Sequence, residues 1–178
     1  MKKVLCFMLF LLAFGSNLNA QNDSIVRVTK HQALDSQKGK IIKYEDKKTN
    51  DIPCFNSQFP FKCKIRTFFR NGINSYFLIL GDTYKIEYSD LVEINKAFDK
   101  FYKEVDADCA LKPEYLENKY ITDDGFKIGY YVKKGKPTWF VDLNIYSVQG
   151  FGELKKPFDF SEGLKNAQSE IEKMINGK

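Results

Sequence analysis

Four aspartates, one histidine and a few cysteines are the residues of this chain whose types lend themselves to chemistry. Asp106 and Asp108 stand two apart, and Asp123 and Asp124 are adjacent. Paired carboxylates are the equipment of glycosidase-like acid–base hydrolysis. Yet the first pair closes an expected helix beside Cys109, and the second opens an Asp123-Asp124-Gly125 turn. Helix ends and turns gather acids for backbone reasons alone. The turn also lacks the downstream ligand spacing of a calcium loop. His31 is the sole histidine and sits in a polar stretch without a metal-spaced partner. A Cys-His dyad with Cys54, Cys63 or Cys109 is the one nucleophilic arrangement open to it, and a surface histidine is the simpler reading. All-histidine zinc sites are excluded by that count, and no C-x2-C spacing supports a cysteine zinc site. No nucleophile elbow, phosphate-binding loop, H-E-x-x-H or dinucleotide fingerprint occurs. The residues therefore point to no catalytic set, no metal and no cofactor.

The first twenty residues have the grammar of a secretory signal peptide. Lys2 and Lys3 form a positive start, residues 4–14 an apolar stretch, and Ala20 a small residue before Gln21. The apolar stretch is too short to span a bilayer, and no stop-transfer pattern follows. An exported, soluble chain, secreted or periplasmic, is expected from Gln21 onward. The formal charge of +5 falls to +3 once Lys2 and Lys3 are set aside with the leader. Arginine occurs only at Arg27, Arg66 and Arg70, so the guanidinium forks that read phosphates are scarce. Nucleic acid is not an expected partner.

Cys6 leaves with the leader, so three cysteines remain. Cys54 and Cys63 bracket a short aromatic loop and are the natural disulfide pair in an oxidising compartment. Such a bridge would stabilise the fold by ~2–3 kcal/mol. Three buried thiols acting as small hydrophobes are the alternative.

The remaining chain is long enough for one domain with its own core. Residues 21–62 read as an N-terminal arm with edge strand(s), including a short strand at 40–44. Residues 64–70 and 75–80 flank Asn71-Gly72 as a hairpin. Tyr84, Ile86 and Tyr88 alternate with polar residues as a further strand, and Ser89 or Asp90 caps a helix carrying Leu91, Ile94, Phe98, Phe101, Tyr102 and Val105. Residues 115–122 read as a strand. Phe126, Ile128, Tyr130 and Val132 share one face of the next, and Trp139, Val141, Leu143 and Ile145 one face of its partner across Gly135. A loop at 147–156 precedes Ser161, an expected cap for a helix with Leu164, Ala167 and Ile171 as its stripe.

Residues 64–80 align without a gap on 127–143, with Gly72 meeting Gly135 and Tyr76-Phe77 meeting Trp139-Phe140. Residues 86–90 are likewise similar to 158–162. The expected fold class is α+β: an internally duplicated unit of three or four antiparallel strands and one helix, with pseudo-twofold symmetry and helices packed on an antiparallel sheet. Repeat one covers 63–110 and repeat two 115–178, within one domain. This doubled plan resembles, in topology, the Whirly and coactivator-type folds that bind single-stranded nucleic acid. It also resembles the tandem-repeat, β-lactamase-inhibitor-like class of exported proteins. Neither resemblance carries a sequence motif, so neither assigns a residue a role.

Aromatic residues are the remaining lead. One sheet face must pack on the helices, and the other is expected to carry Phe68, Tyr131 and Phe140, with Phe77 beside them. Uncovered, that face is an apolar platform for a protein or a glycan. The function expected is therefore an exported, non-catalytic binding protein using this face or the 147–156 loop. An inhibitor or immunity-type protein acting on an envelope enzyme is the narrower version. A small hydrolase built on the acidic residues is the third reading.

Overall fold

Among the described residues, two four-stranded antiparallel sheets and two helices alternate along the chain. The computed structural model describes residues 41–53, 60–70, 72–81, 84–143 and 151–177. The leader, His31, Cys54 and residues 144–150 lie outside the described residues. In chain order the elements are β1 (Lys43–Lys48), β2 (Cys63–Arg70), β3 (Ile73–Leu80), β4 (Tyr84–Glu87), α1 (Tyr88–Ala110), β5 (Leu116–Ile121), β6 (Lys127–Lys133), β7 (Lys136–Asp142), β8 (Phe151–Glu153) and α2 (Pro157–Asn176). Each sheet keeps its strands in sequence order, β1-β2-β3-β4 and β5-β6-β7-β8. This is the order that short antiparallel connections give.

Both central hairpins follow from their turns. Gly72 has φ 79°, and Lys134 and Gly135 have φ 52° and 78°. Positive φ at these positions matches the right-handed twist of the flanking strands. The resulting registers place Arg66 opposite Phe77 and Gly129 opposite Phe140.

The helices begin earlier than their sequence signals indicate. α1 starts at Tyr88, directly after β4, and neither Ser89 nor Asp90 caps it; Glu87 holds the cap position without a side-chain bond. α2 starts at Pro157, four residues ahead of Ser161. Proline suits that first position because it has a helical φ and no N–H to satisfy. Ser161 is thus inside the helix and buried. Residues 158–160 are helical whereas Ile86 and Glu87 are strand, so the match between 86–90 and 158–162 does not extend to structure.

One core joins these elements. α1 buries Leu91, Ile94, Phe98, Phe101 and Val105, and α2 buries Phe160, Leu164, Ala167 and Ile171. Ile65, Leu78 and Ile86 come to it from the first sheet, and Ile128, Val132 and Val141 from the second. Each such side chain contributes about 1.5–3 kcal/mol on burial. The packing is uneven. α1 touches strands of both sheets, whereas α2 lies chiefly against α1. Asn95 and Gln168 bridge the helices through a 2.7 Å hydrogen bond. Ile52 also enters this core, at 1 % exposure. It hydrogen-bonds Phe61 in both directions. On α2, a Cβ at Gly163 would come within 2.9 Å of Ile52, which explains a glycine inside a helix.

Candidate binding face

Alternation along each strand leaves a second, outward face on each sheet. In the second sheet that face carries Glu117, Lys119 and Ile121 from β5, Lys127, Gly129 and Tyr131 from β6, Thr138, Phe140 and Asp142 from β7, and Glu153 from β8. In the first it carries Tyr44 and Asp46, then Lys64, Arg66 and Phe68, then Ser75, Phe77 and Ile79, then Lys85 and Glu87.

Three rings cross each face in a row. Tyr44, Phe68 and Phe77 follow one another at centroid distances of 5.8 and 5.3 Å. Tyr115, Tyr131 and Phe140 do so at 5.9 and 6.4 Å. The single platform expected from sequence is therefore two rows on two sheets: Phe68 lies in the first, and Tyr131 with Phe140 in the second. Burial divides them further. Phe68 and Phe140 are 8 % and 3 % exposed and offer no open ring face. Tyr131 is half-buried. The open rings are Tyr44 and Tyr115, at 51 % and 60 %, and sequence reasoning missed both. A signal for Tyr115 existed, since it shares the parity of Glu117 just ahead of β5.

The two rows differ in charge. Beside Tyr44, Arg66 makes a two-pronged bond to Asp46 at 2.6 and 2.8 Å, and its guanidinium lies 4.1 Å over the Tyr44 ring. With Lys64 also 3.1 Å from Asp46, the Asp46 carboxyl is held down at about 2. These are charge-assisted contacts, of the stronger kind. Along the second row the tyrosine hydroxyls meet carboxylates: Tyr115 donates to Glu117 at 3.2 Å and Tyr131 to Glu153 at 3.3 Å. Each carboxylate also meets a lysine, Lys119 and Lys155 respectively. Lys155, with a smaller contribution from Tyr131, holds the Glu153 carboxyl below its usual range. Gly129 keeps the strand beneath this row clear of side chain, and a Cβ there would strike the Asn118 carbonyl. Exposed aromatic edge, carboxylate acceptors and ammonium donors thus share one surface.

The acidic candidates lie in two places, the end of α1 and the β5–β6 turn. Asp108 accepts a 2.6 Å hydrogen bond from Tyr130, which also takes one from Asn118; Asn118 in turn donates to Glu104. Burial and then Asp108 push the Tyr130 phenol up to about 12. This network ties α1 to β5 and β6. Asp106 is exposed on the same helix end. Asp123 and Asp124 sit in the β5–β6 turn, beyond the end of β5 at Ile121. Among the described residues no group of three or more acidic, histidine or cysteine side chains is placed to hold a metal ion. Cys63 is buried, with its Sγ 3.2 Å from the Phe61 carbonyl oxygen it donates to. Its expected partner Cys54 lies outside the described residues. Beside Cys63, Lys48, Thr49, Asp51, Lys62, Lys64 and Gly81 line a cavity of about 380 Å³.

Among the described residues no helix is long and apolar enough to cross a membrane. No family model, curated protein or solved structure matches the chain.

Proposed function

We propose that this is an exported, non-catalytic binding protein whose ligand, a protein or a glycan, docks on the outward face of the second sheet at Tyr115 and Tyr131. The observation that supports this reading is the open Tyr115 ring, stacked on Tyr131 within reach of Glu117, Lys119, Glu153 and Lys155. Amphipathic rings bring large contact area at low entropy loss, and fixed polar groups beside them give orientation. The reading of an exported protein rests on the leader-like residues 1–20. The reading of two duplicated halves is supported by the shared strand order, the matching hairpin glycines and the paired ring rows.

The test is capture from a cell-envelope extract by the tagged chain from Gln21 onward, with mass spectrometry and glycan profiling of what is retained. A specific ligand held by the native protein and lost by Tyr115→Ala supports the proposal. Retention unchanged by that substitution overturns the assignment of the face. A single stoichiometric protein partner surviving gel filtration would narrow the reading to an inhibitor or immunity-type protein.

A further inference from the structure

Charge is unevenly matched along the outward face of the second sheet. Lys119 and Lys127 on that face, and Lys155 beside it, meet Glu117, Asp142 and Glu153 at 3.1, 2.9 and 3.0 Å. At the β6–β7 turn this matching stops. Lys133 and Lys136 stand directly opposite each other on the same outward face. Lys134 occupies the turn between them, and the Lys112 Cγ lies 3.4 Å from where a Cβ on Gly135 would stand. Among the described residues none of these four lysines has a carboxylate within ion-pair distance, Glu114 of the neighbouring α1–β5 connection included. Like charges set opposite each other on paired strands cost stability. The turn that brings them together is nonetheless held in place. Lys112 and Lys134 have left-handed backbone at φ 47° and 52°, and the Lys134 N–H donates to the Pro113 carbonyl at 2.9 Å. Leu116 pairs with Val132, so the open Tyr115 ring comes at the Lys133 end of its row.

We propose that the ligand of this face is an acidic glycan. A sugar ring lies on Tyr115, and the carboxylate or sulfate groups of the polymer are held by Lys133 and Lys136, with Lys112 and Lys134 adding charge at the turn. This rests on the reading that the Tyr115–Tyr131 face takes the ligand, and names the ligand's class. Charge complementarity favours an anion, because Glu117, Asp142 and Glu153 are each met by a lysine of the chain whereas the four lysines at the turn are not met by a carboxylate. Ammonium groups are compact point charges on flexible stems, which suits anionic groups spaced along a polymer. The rings favour a sugar. Tyr115 and Tyr131 are stacked with their planes 23° apart, and the negative faces of such rings attract the C–H bonds of a sugar. An acidic peptide fits less well. Extended peptides are commonly held by main-chain bonds at a strand edge, and an outward sheet face offers side chains only.

The test measures binding of labelled oligogalacturonate and of a heparin oligosaccharide to the chain from Gln21 onward by fluorescence polarisation. Methyl-esterified oligogalacturonate and polyglutamate are the comparisons. At least one of the acidic glycans should bind, several-fold more tightly than the neutral ester and polyglutamate, and its affinity should fall as salt is raised. Lys133→Gln with Lys136→Gln should weaken that binding several-fold. The melting temperature of this variant should be unchanged or slightly raised, since a like-charge pair is removed. Tyr115→Ala should weaken the binding as well. Failure of both acidic glycans to bind, or binding undiminished in the lysine variant, overturns the inference and leaves the ring face to be judged by Tyr115→Ala against the captured ligand. Tighter binding of polyglutamate makes the partner an acidic protein and overturns it too. A marked fall in the melting temperature of the lysine variant would mean that these lysines serve the fold, with the same consequence. Binding lost with the lysines but untouched by Tyr115→Ala would instead overturn the assignment of the ring face, and with it the sugar on Tyr115.

Discussion

Phe77 and Phe140 hold matching places in the two sheets. Each lies on the third strand, faces away from the helices and meets an outward ring of the second strand, Phe68 or Tyr131, at 5.3 and 6.4 Å. They are 2 % and 3 % exposed. What differs is the residue directly opposite, Arg66 in one sheet and Gly129 in the other. In the first sheet the Arg66 fork binds Asp46 beside the Tyr44 ring. In the second the tyrosine hydroxyls donate to Glu117 and Glu153, which Lys119 and Lys155 also meet, in pairs at the exposed edge. The proposal of a ligand face on the second row draws on the open Tyr115 ring stacked on Tyr131 beside these pairs.

Within the second row, stability and binding should separate by residue. Phe140→Ala removes a buried ring and is expected to destabilise the fold by about 3–4 kcal/mol. Tyr115→Ala removes an exposed ring and should shift stability by less than about 0.5 kcal/mol. Urea unfolding of the two variants checks this. Equal losses would mean that Tyr115 is part of the packing and not a contact surface.

Gly129 should tolerate no side chain. A Cβ there meets the Asn118 carbonyl oxygen and lies 2.9 Å from the Lys119 Cα, both backbone atoms that cannot give way alone. Gly129→Ala is expected to cost about 1–3 kcal/mol or more. At Gly72, where φ is 79° and nothing lies within 4 Å, alanine meets only the left-handed backbone and should cost about 1 kcal/mol. Thermal denaturation of both variants, compared with the native chain, reads the difference.

Acid should weaken the first sheet through Asp46. Its carboxyl is held at about 2 by Arg66 and Lys64, against ~3.9 in an unfolded chain. The folded value is the lower one, so this contribution is complete above pH ~4 and is lost as pH falls from 4 towards 2. As a largely surface cluster it should be worth no more than about 1 kcal/mol. Asp46→Asn should flatten that part of the stability–pH profile, measured by denaturant unfolding between pH 2 and 6. An unchanged slope would show that the ion pairs do not persist in solution.

The half-buried Cys109 should be a slow thiol. Burial, followed by the neighbouring charges of Asp106 and Asp108, raises its ionisation above the ordinary range. Reaction with a maleimide at pH 7 should therefore be several-fold slower than that of free cysteine and accelerate as pH rises. Asp106→Asn should speed it. A rate equal to free cysteine at pH 7 would contradict the burial described here.

Hairpin registers were legible in the sequence because period-two alternation and a turn glycine fix them together, as at Gly72 and Gly135. The apolar stripes of both helices were legible for the same kind of reason. Their starts were not, because Glu87 and Lys156 hold the cap positions without side-chain capping bonds, and Pro157 rather than Ser161 opens α2. Alternation also told which residues face outward without telling which sheet they share. Phe68 and Tyr131 consequently read as neighbours when they lie in different sheets. Nor does a sequence show what lies over an outward ring, so the burial of Phe68 and Phe140 was invisible. Tyr44 and Tyr115 were overlooked because each sits at or just before an edge strand, where a periodic signal is short.

The measurement that tests the account most directly is the affinity of the captured ligand for the native protein and for the variant carrying both Tyr115→Ala and Tyr131→Ala. The account predicts at least a tenfold loss, about 1.4 kcal/mol, with the fold intact by circular dichroism. Undiminished affinity in a folded double variant would contradict it and remove the second sheet's outward face as the binding surface.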